Sequence, residues 1–231
     1  MDKSGSFRLW LSYVFRMVFF ALALMLPAGT WRWWEAWVVF GLWGVYGLAT
    51  MIFLLRHDQA LLADRLKLVP IDKEQKSWDK ALMLVFFIAG VALYVVPGFD
   101  VVRYEWSEPL PLWSRIAAMV LHLPCFVLLG WVMHENAFLS QVVKIDQARG
   151  HTVVTTGPYA LVRHPMYSIV IVLLFVVPVA LGSRYALILA VFLALLLIVR
   201  TYFEDRTLHL ELDGYPEYAK ATRYRLIPGI W

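Results

Sequence analysis

Thr156-Gly157-Pro158-Tyr159-Ala160-Leu161-Val162-Arg163-His164-Pro165-Met166-Tyr167 is the one place in the chain where Gly, Pro, Arg, His and Tyr crowd together and then give way directly to a long apolar run. Gly157-Pro158 is turn chemistry. His164 stands before a proline, which biases its backbone toward extended conformations, and Pro165 suits the first position of the helix that follows. The stretch therefore reads as a kinked lead-in to a membrane helix, with a cation, an imidazole and two phenols at the water–lipid boundary. Polar groups are expensive at that depth and mark candidate functional sites.

Composition supports the membrane reading. Of the 231 residues, 61% are hydrophobic and 16% charged, where a soluble domain is near half apolar and a quarter charged. The eleven Trp collect near the ends of apolar runs, as an interfacial belt requires. The net charge of +4 is spread through loops between apolar segments, so positive-inside bias explains it better than nucleic acid, which is not an expected partner. The single cysteine, Cys125, lies inside an apolar run, which leaves no disulfide framework and no Cys-based metal site.

Six apolar runs approach the ~20 residues needed to cross ~30 Å of hydrocarbon, at about 9–27, 36–55, 81–98, 112–133, 166–182 and 185–203. The first has a rival reading as a signal peptide, with Lys3 and Arg8 ahead of it and a cleavage-like Ala21-Leu22-Ala23. Arg16 in its middle favours a helix that stays. The loops on the side of the N-terminus carry fifteen Lys and Arg, against Arg32, Arg103 and Arg184 on the other. Both termini are therefore expected in the cytoplasm. The compact chain suggests a bacterial inner membrane. Helices within 1–133 and the region 134–231 form one membrane domain, the second part carrying the candidate chemistry.

Between the second and third runs, Leu61, Leu62, Leu66 and Leu68 sit among charges, which suits a short amphipathic surface helix or a solvated linker with Trp78 as anchor. The loop 99–111 adds only acids and prolines. His122 and His134 are twelve residues apart, about 18 Å along one helix and too far to ligate one haem. Packing or a helix–helix hydrogen bond suits His122 better.

The turn Gly182-Ser183-Arg184 makes the last two runs an antiparallel hairpin. It returns Glu204 and Asp205 to the neighbourhood of Arg163 and His164. The plain reading is a solvated helix end with an Arg163–Glu204 ion pair. The sharper one is a polar cup for a ligand of mixed charge. Tyr215 and Tyr218, three apart in the tail, share a face if helical and would fold over the cup, unless the tail is only a basic aromatic anchor.

Gly157-Pro158-Tyr159, Val162-Arg163-His164-Pro165-x-Tyr167, Glu204-Asp205-Arg206 after a hydrophobic hairpin, Tyr215-x-x-Tyr218 and Arg225-Leu226-Ile227-Pro228 together resemble the isoprenylcysteine carboxyl methyltransferase family, and share much with the related phospholipid N-methyltransferases. The resemblance covers about residues 145–231. It implies S-adenosyl-L-methionine at the cytoplasmic end of the last hairpin and methyl transfer to a lipophilic or prenylated acceptor from the bilayer. By position, His151, Gly157, Tyr159, Arg163, His164, Pro165 and Tyr167 match the first part of the cofactor site. Glu204 and Asp205 match its acidic pair, usually Glu-Glu, so Asp205 is a departure, and Tyr215 and Tyr218 complete the set. Arg163, His164 and Glu204 are the catalytic candidates, and Arg225 the candidate contact for the acceptor.

The residue chemistry is compatible with that ligand. Arg163 can grip a carboxylate bidentately; Glu204 and Asp205 can accept from hydroxyls or an ammonium; Tyr159, Tyr167 or Tyr218 can face a sulfonium. No Gly-x-Gly-x-x-Gly turn is present, and no metal site is expected. A carboxylate acceptor needs no base, whereas an amine would use His164 or Glu204. Two rivals remain: an NADPH-dependent membrane enone or sterol reductase, with Lys220, Arg223 and Arg225 for the 2′-phosphate, and a non-enzymatic scaffold. The expected architecture is an all-α polytopic membrane protein of about six spans, with a C-terminal hairpin and a cytoplasmic cofactor-binding cap.

Overall fold

The computed structural model describes residues 3–66, 75–136, 138–143 and 150–231, which form helices and turns with no strand among them. Helix α1 (Lys3–Ala28) ends at Gly29, whose φ of +69° breaks the helical backbone. Helix α2 (Trp34–His57) stops at Asp58, whose carboxylate accepts from the Leu61 amide (2.9 Å) and so caps the short α3 (Gln59–Arg65). Of the two readings given for this stretch the helical one holds over Gln59–Arg65, and the helix buries Leu61 and Leu62 against Met51 and Leu54. The part of that expectation resting on Leu68 lies outside the described residues.

Helix α4 (Ser77–Gly98) runs into a π turn over Phe99–Arg103, and α5 (Leu112–Glu135) follows a Pro-rich loop. A 3₁₀ turn over Gly157–Ala160 leads to α6 (Pro165–Leu181), with Pro165 at its first position. Gly182, left-handed at φ +82°, closes α6, and α7 (Tyr185–Glu211) begins three residues later. The last helix is α8 (Tyr215–Ala221).

Among the described residues five stretches are long and apolar enough to cross a membrane: Leu9–Ala28, Trp34–His57, Ser77–Arg103, Leu112–Glu135 and Tyr185–Glu211. The sixth expected span, α6, has 17 residues, about 25 Å, the lower limit for crossing. The chain is a polytopic integral membrane protein. Its α6–α7 hairpin has the boundaries read from the sequence to within a residue or two, except that α7 continues past the apolar run to Glu211, with Glu204 and Asp205 inside the helix. The extra turns are held by packing and buried hydrogen bonds around Asp205, which an apolar-run criterion cannot register.

The main core joins α1, α2, α4, α6 and α7 through Leu24, Val39, Leu93, Val177 and Leu193. Ala180, Ala186 and Ala190 are wholly buried within it, the small residues that let membrane helices approach closely. His122 Nδ1–H donates to the Ala118 carbonyl (2.9 Å), and the ring packs edge-on against Trp43 and Phe126, a packing role. Cys125 is buried beside Phe126, Leu129 and Leu173.

The loop 99–111 carries more than its composition suggested. Asp100 is wholly buried and accepts from Ser183 Oγ (2.6 Å) and the Tyr185 amide (3.3 Å). Leu110 N–H donates to the Gly182 carbonyl (2.9 Å). The turn of the α6–α7 hairpin is thereby fastened to α4 and the loop before α5.

Candidate functional site

Pro165 shapes the site first. The residue before proline avoids the helical region, and His164 takes φ −125° and ψ 62°. Held open this way, Arg163 and His164 donate their amides to the Tyr224 and Arg225 carbonyls, each at 2.9 Å. Ser168 Oγ adds a bond to the Leu226 carbonyl (2.6 Å). The tail is thus laced to the start of α6.

Beneath this seam lies Asp205, 2% exposed. Its carboxylate accepts from Arg163 Nε (2.7 Å) and Nη2 (3.2 Å), from Arg225 Nε (2.8 Å) and from the Tyr215 hydroxyl (2.9 Å). His164 Nε2 stands 3.4 Å away. Arg163 Nη1 donates to the Thr222 and Arg223 carbonyls, both at 2.8 Å. Burial works against the Arg163 charge, but the hydrogen bond and charge of Asp205 outweigh it and hold this guanidinium above its ordinary pKa. The sequence reading gave Arg163 to a ligand carboxylate, or to Glu204 as an ion-pair partner. The structure gives it to Asp205. The reason is angular: consecutive residues on a helix point ~100° apart, and it is Asp205 that faces α6.

Glu204 faces the cavity instead. Its Oε2 accepts from the Tyr167 hydroxyl (2.5 Å), and its Oε1 is 4.0 Å from His164 Nδ1. Tyr167 oxygen in turn accepts from Arg200 Nη1 (2.7 Å). Arg200, one turn before Glu204, is buried and donates Nε to Asp79 Oδ1 (2.8 Å) and Nη2 to the Gln141 carbonyl (2.8 Å). Asp79, wholly buried at the start of α4, also accepts from Gln75 Nε2 and the Val143 amide, both at 2.9 Å. Sequence reasoning passed over Asp79 and Arg200. A charged residue inside the last apolar run was a usable signal; its partner 121 residues away was not.

Aromatic groups complete the wall. Asn136 Nδ2 donates to the Tyr159 hydroxyl oxygen (2.9 Å), and the Tyr218 hydroxyl donates to the Tyr159 carbonyl (2.7 Å). Phe138 stacks on His151 at 4.7 Å, and the rings of His164 and Tyr167 lie parallel at 5.8 Å. Burial raises the phenols of Tyr159 and Tyr215 above their usual range and pushes Tyr218 up to about 12. All three are neutral hydrogen-bonding groups at physiological pH.

These elements surround a cavity with about 770 Å³ of empty space, its open side included. His151, Tyr159, Arg163, His164, Pro165, Tyr167, Glu204, Tyr215 and Tyr218 all line it. Gly157, Asp205 and Arg225 do not. Gly157 has φ +58° and lies so close to the Glu135 side chain that a Cβ would sit 2.7 Å from it. Arg225 turns to Asp205 and stacks its guanidinium 5.0 Å from the Trp231 ring, so it buttresses the knot where the sequence reading had it meet the acceptor. Asn136 lines the cavity and was not foreseen.

Among the described lining residues Arg163 is the only Lys or Arg, and its Nε and both terminal nitrogens are engaged by Asp205 and the tail carbonyls. Glu204 is the only carboxylate among the described lining residues. The cup is therefore acidic and aromatic toward a ligand. Among the described residues no cluster of His, Cys, Asp and Glu is arranged to hold a metal.

A search of curated proteins returns no match to this chain. Residues 117–210, from the start of α5 to the last turn of α7, match the model of the Isoprenylcysteine carboxyl methyltransferase (ICMT) family, and with the apolar helices that carry the cup this supports a membrane methyltransferase.

Proposed function

We propose that the protein transfers a methyl group from S-adenosylmethionine, bound in the cup, to a lipophilic acceptor that reaches it from the bilayer. The observation that carries this reading is the lining itself: one ligand-facing carboxylate, Glu204, among aromatic faces, with the lining arginine already committed to Asp205. When bound, S-adenosylmethionine supplies an electrophilic methyl group on a sulfonium. Glu204 suits its ribose hydroxyls or ammonium. The rings of Tyr159, Tyr215 and Tyr218 suit a cation or a flat base. NADPH fits poorly, because its phosphates would meet Glu204 and no uncommitted guanidinium or ammonium among the described lining residues.

Tyr167 and Arg200 fix the Glu204 carboxylate before any ligand arrives, and Asp205 fixes Arg163 and Tyr215. Such preorganisation serves a reaction that depends on in-line approach and exclusion of water. A carboxylate acceptor needs no proton removed; for an amine, His164 and Glu204 are the groups within the cavity able to accept one. By the distribution of basic loops, the cup opens to the cytoplasm.

Titration calorimetry in uncharged detergent tests the reading. Demethylated S-adenosylhomocysteine should bind in the micromolar range, and Glu204→Gln should weaken it about tenfold or more, the worth of a charged hydrogen bond. Binding of NADPH in its place, or of neither ligand to folded protein, overturns it.

A further inference from the structure

Two atoms on the wall of the cup lack a hydrogen donor. Glu204 Oε2 is taken by the Tyr167 hydroxyl, but Oε1 accepts from no described residue and stands 4.0 Å from His164 Nδ1. His164 is 6% exposed and lines the cavity. Its other nitrogen, Nε2, lies 3.4 Å from Asp205 Oδ1 and 3.5 Å from the Tyr215 hydroxyl, which itself donates to that carboxylate oxygen. A carboxylate oxygen only accepts, so the imidazole proton belongs on Nε2 and Nδ1 keeps its lone pair. Nδ1 has no hydrogen-bond partner among the described residues. An imidazole whose far nitrogen is held by a buried carboxylate, with its near nitrogen open to the cavity, is oriented to remove a proton.

Methyl transfer to a carboxylate has no use for such a base, because that acceptor arrives with its lone pairs free. At this point of the wall a carboxylate also brings acceptors to two acceptors, one of them the charged Glu204. The lining guanidinium, Arg163, has its charge answered by Asp205. An ammonium brings what is missing: one N–H for Nδ1 and, where S-adenosylmethionine leaves it open, one for Oε1. A hydroxyl can give up a proton too, but it leaves the Glu204 charge unanswered.

We infer that the acceptor is a lipophilic amine and that His164, oriented by Asp205, removes its proton through Nδ1. The inference rests on the methyltransferase reading. The ammonium proton passes to Nδ1, and the nitrogen pair so freed forms the bond to the methyl carbon. The methyl–sulfur bond breaks with its electrons kept on sulfur. The imidazolium then returns its proton to water at the open side of the cup. Sulfonium and ammonium enter; thioether, methylammonium and one proton leave, so charge balances. Asp205 is a positioning residue in this step. His164 is faced by Asp205 and Glu204 of α7, Tyr215 of α8 and Tyr167 of α6, with Arg163, Arg225 and His209 around the same Asp205 carboxylate.

Dodecylamine and laurate are the probes, each given to the protein in uncharged detergent with S-adenosylmethionine radiolabelled on its methyl group. Labelled N-methyldodecylamine should form at least about tenfold faster than methyl laurate, the worth of a charge-assisted hydrogen bond. His164→Gln should lower the amine rate by about 100-fold or more at neutral pH. That deficit should shrink as pH rises toward ~10, where an alkylamine sheds its proton unaided; a residue that only shapes the cup gives a deficit flat in pH. The comparison of probes on wild-type protein stands whether or not the variant folds. An equal or faster rate with laurate, no transfer to dodecylamine, or a deficit independent of pH overturns the inference. S-adenosylhomocysteine titration of the same samples tells the two readings apart. If wild-type protein does not bind it, the methyltransferase reading falls; if it binds and the acid is methylated, that reading stands and the amine alone falls.

Discussion

Replacing Asp205 with Asn keeps the shape of the side chain and removes its charge. Arg163, 7% exposed, then loses the counter-ion held at 2.7 Å and 3.2 Å, while its two bonds to the Thr222 and Arg223 carbonyls remain. Removing one partner of a buried ion pair costs about 3–5 kcal/mol. The Arg225 side chain is 27% exposed, so water takes over much of its share and it adds at most about 1 kcal/mol. For a chain of this size each kcal/mol shifts the unfolding midpoint by about 2–4 °C, which puts Asp205→Asn roughly 6–24 °C below wild type. Asp205→Glu keeps the charge and adds one methylene, an overpacking penalty of about 1–3 kcal/mol, so it should fall less far. The assay is intrinsic tryptophan fluorescence during heating in detergent, at two scan rates to expose irreversible unfolding. Arg163→Met completes a cycle. Its loss and that of Asp205→Asn should overlap, the double variant costing less than the two singles together by about 0.5–3 kcal/mol. An Asp205→Asn midpoint within about 2 °C of wild type, or strictly additive losses, would refute the claim that this pair organises the seam.

Arg200→Met leaves Asp79 buried without its partner and should destabilise by about 3–5 kcal/mol; Asp79→Leu in the same chain should restore part of that, checked by the same heating scans. Gly157→Ala forces a side chain into φ +58° and against Glu135, a cost of about 1–2 kcal/mol from the backbone alone, read as a lower midpoint. Tyr218 ionises near 10 when exposed and at about 12 here because it is buried. Its stabilising effect is whole below pH 10 and is lost as pH rises toward 12, about 3 kcal/mol in all. Midpoints recorded from pH 9 to 12 should fall less steeply in Tyr218→Phe, and equal slopes would exclude this residue as the source.

The hairpin was legible because its signals are local: Pro165 opens α6, Gly182 closes it, and the intervening run is apolar without interruption. The meeting of residues 163–167 with 204–205 followed from the hairpin. Its internal wiring did not. Spacing brings Glu204 and Asp205 to the site together, yet only the helix rotation decides that Asp205 takes Arg163 while Glu204 turns to the cavity. The Arg225 partner was hidden for a similar reason, since a basic residue in a tail says nothing of the buried carboxylate it answers. The Asp79–Arg200 bond joins α4 to α7 across 121 residues, and no periodicity encodes such a partner.

The α6–α7 hairpin is fastened at both extremities, by Asp100 and Ser183 at its turn and by Arg163 and Asp205 at its open end. A rod pinned at two points cannot swing. Whatever movement admits a bulky guest from the surrounding lipid has to be borne by elements outside the hairpin, and α1 and α2, which share the main core with α6 and α7 through Leu24 and Val39, can yield only by parting from that core.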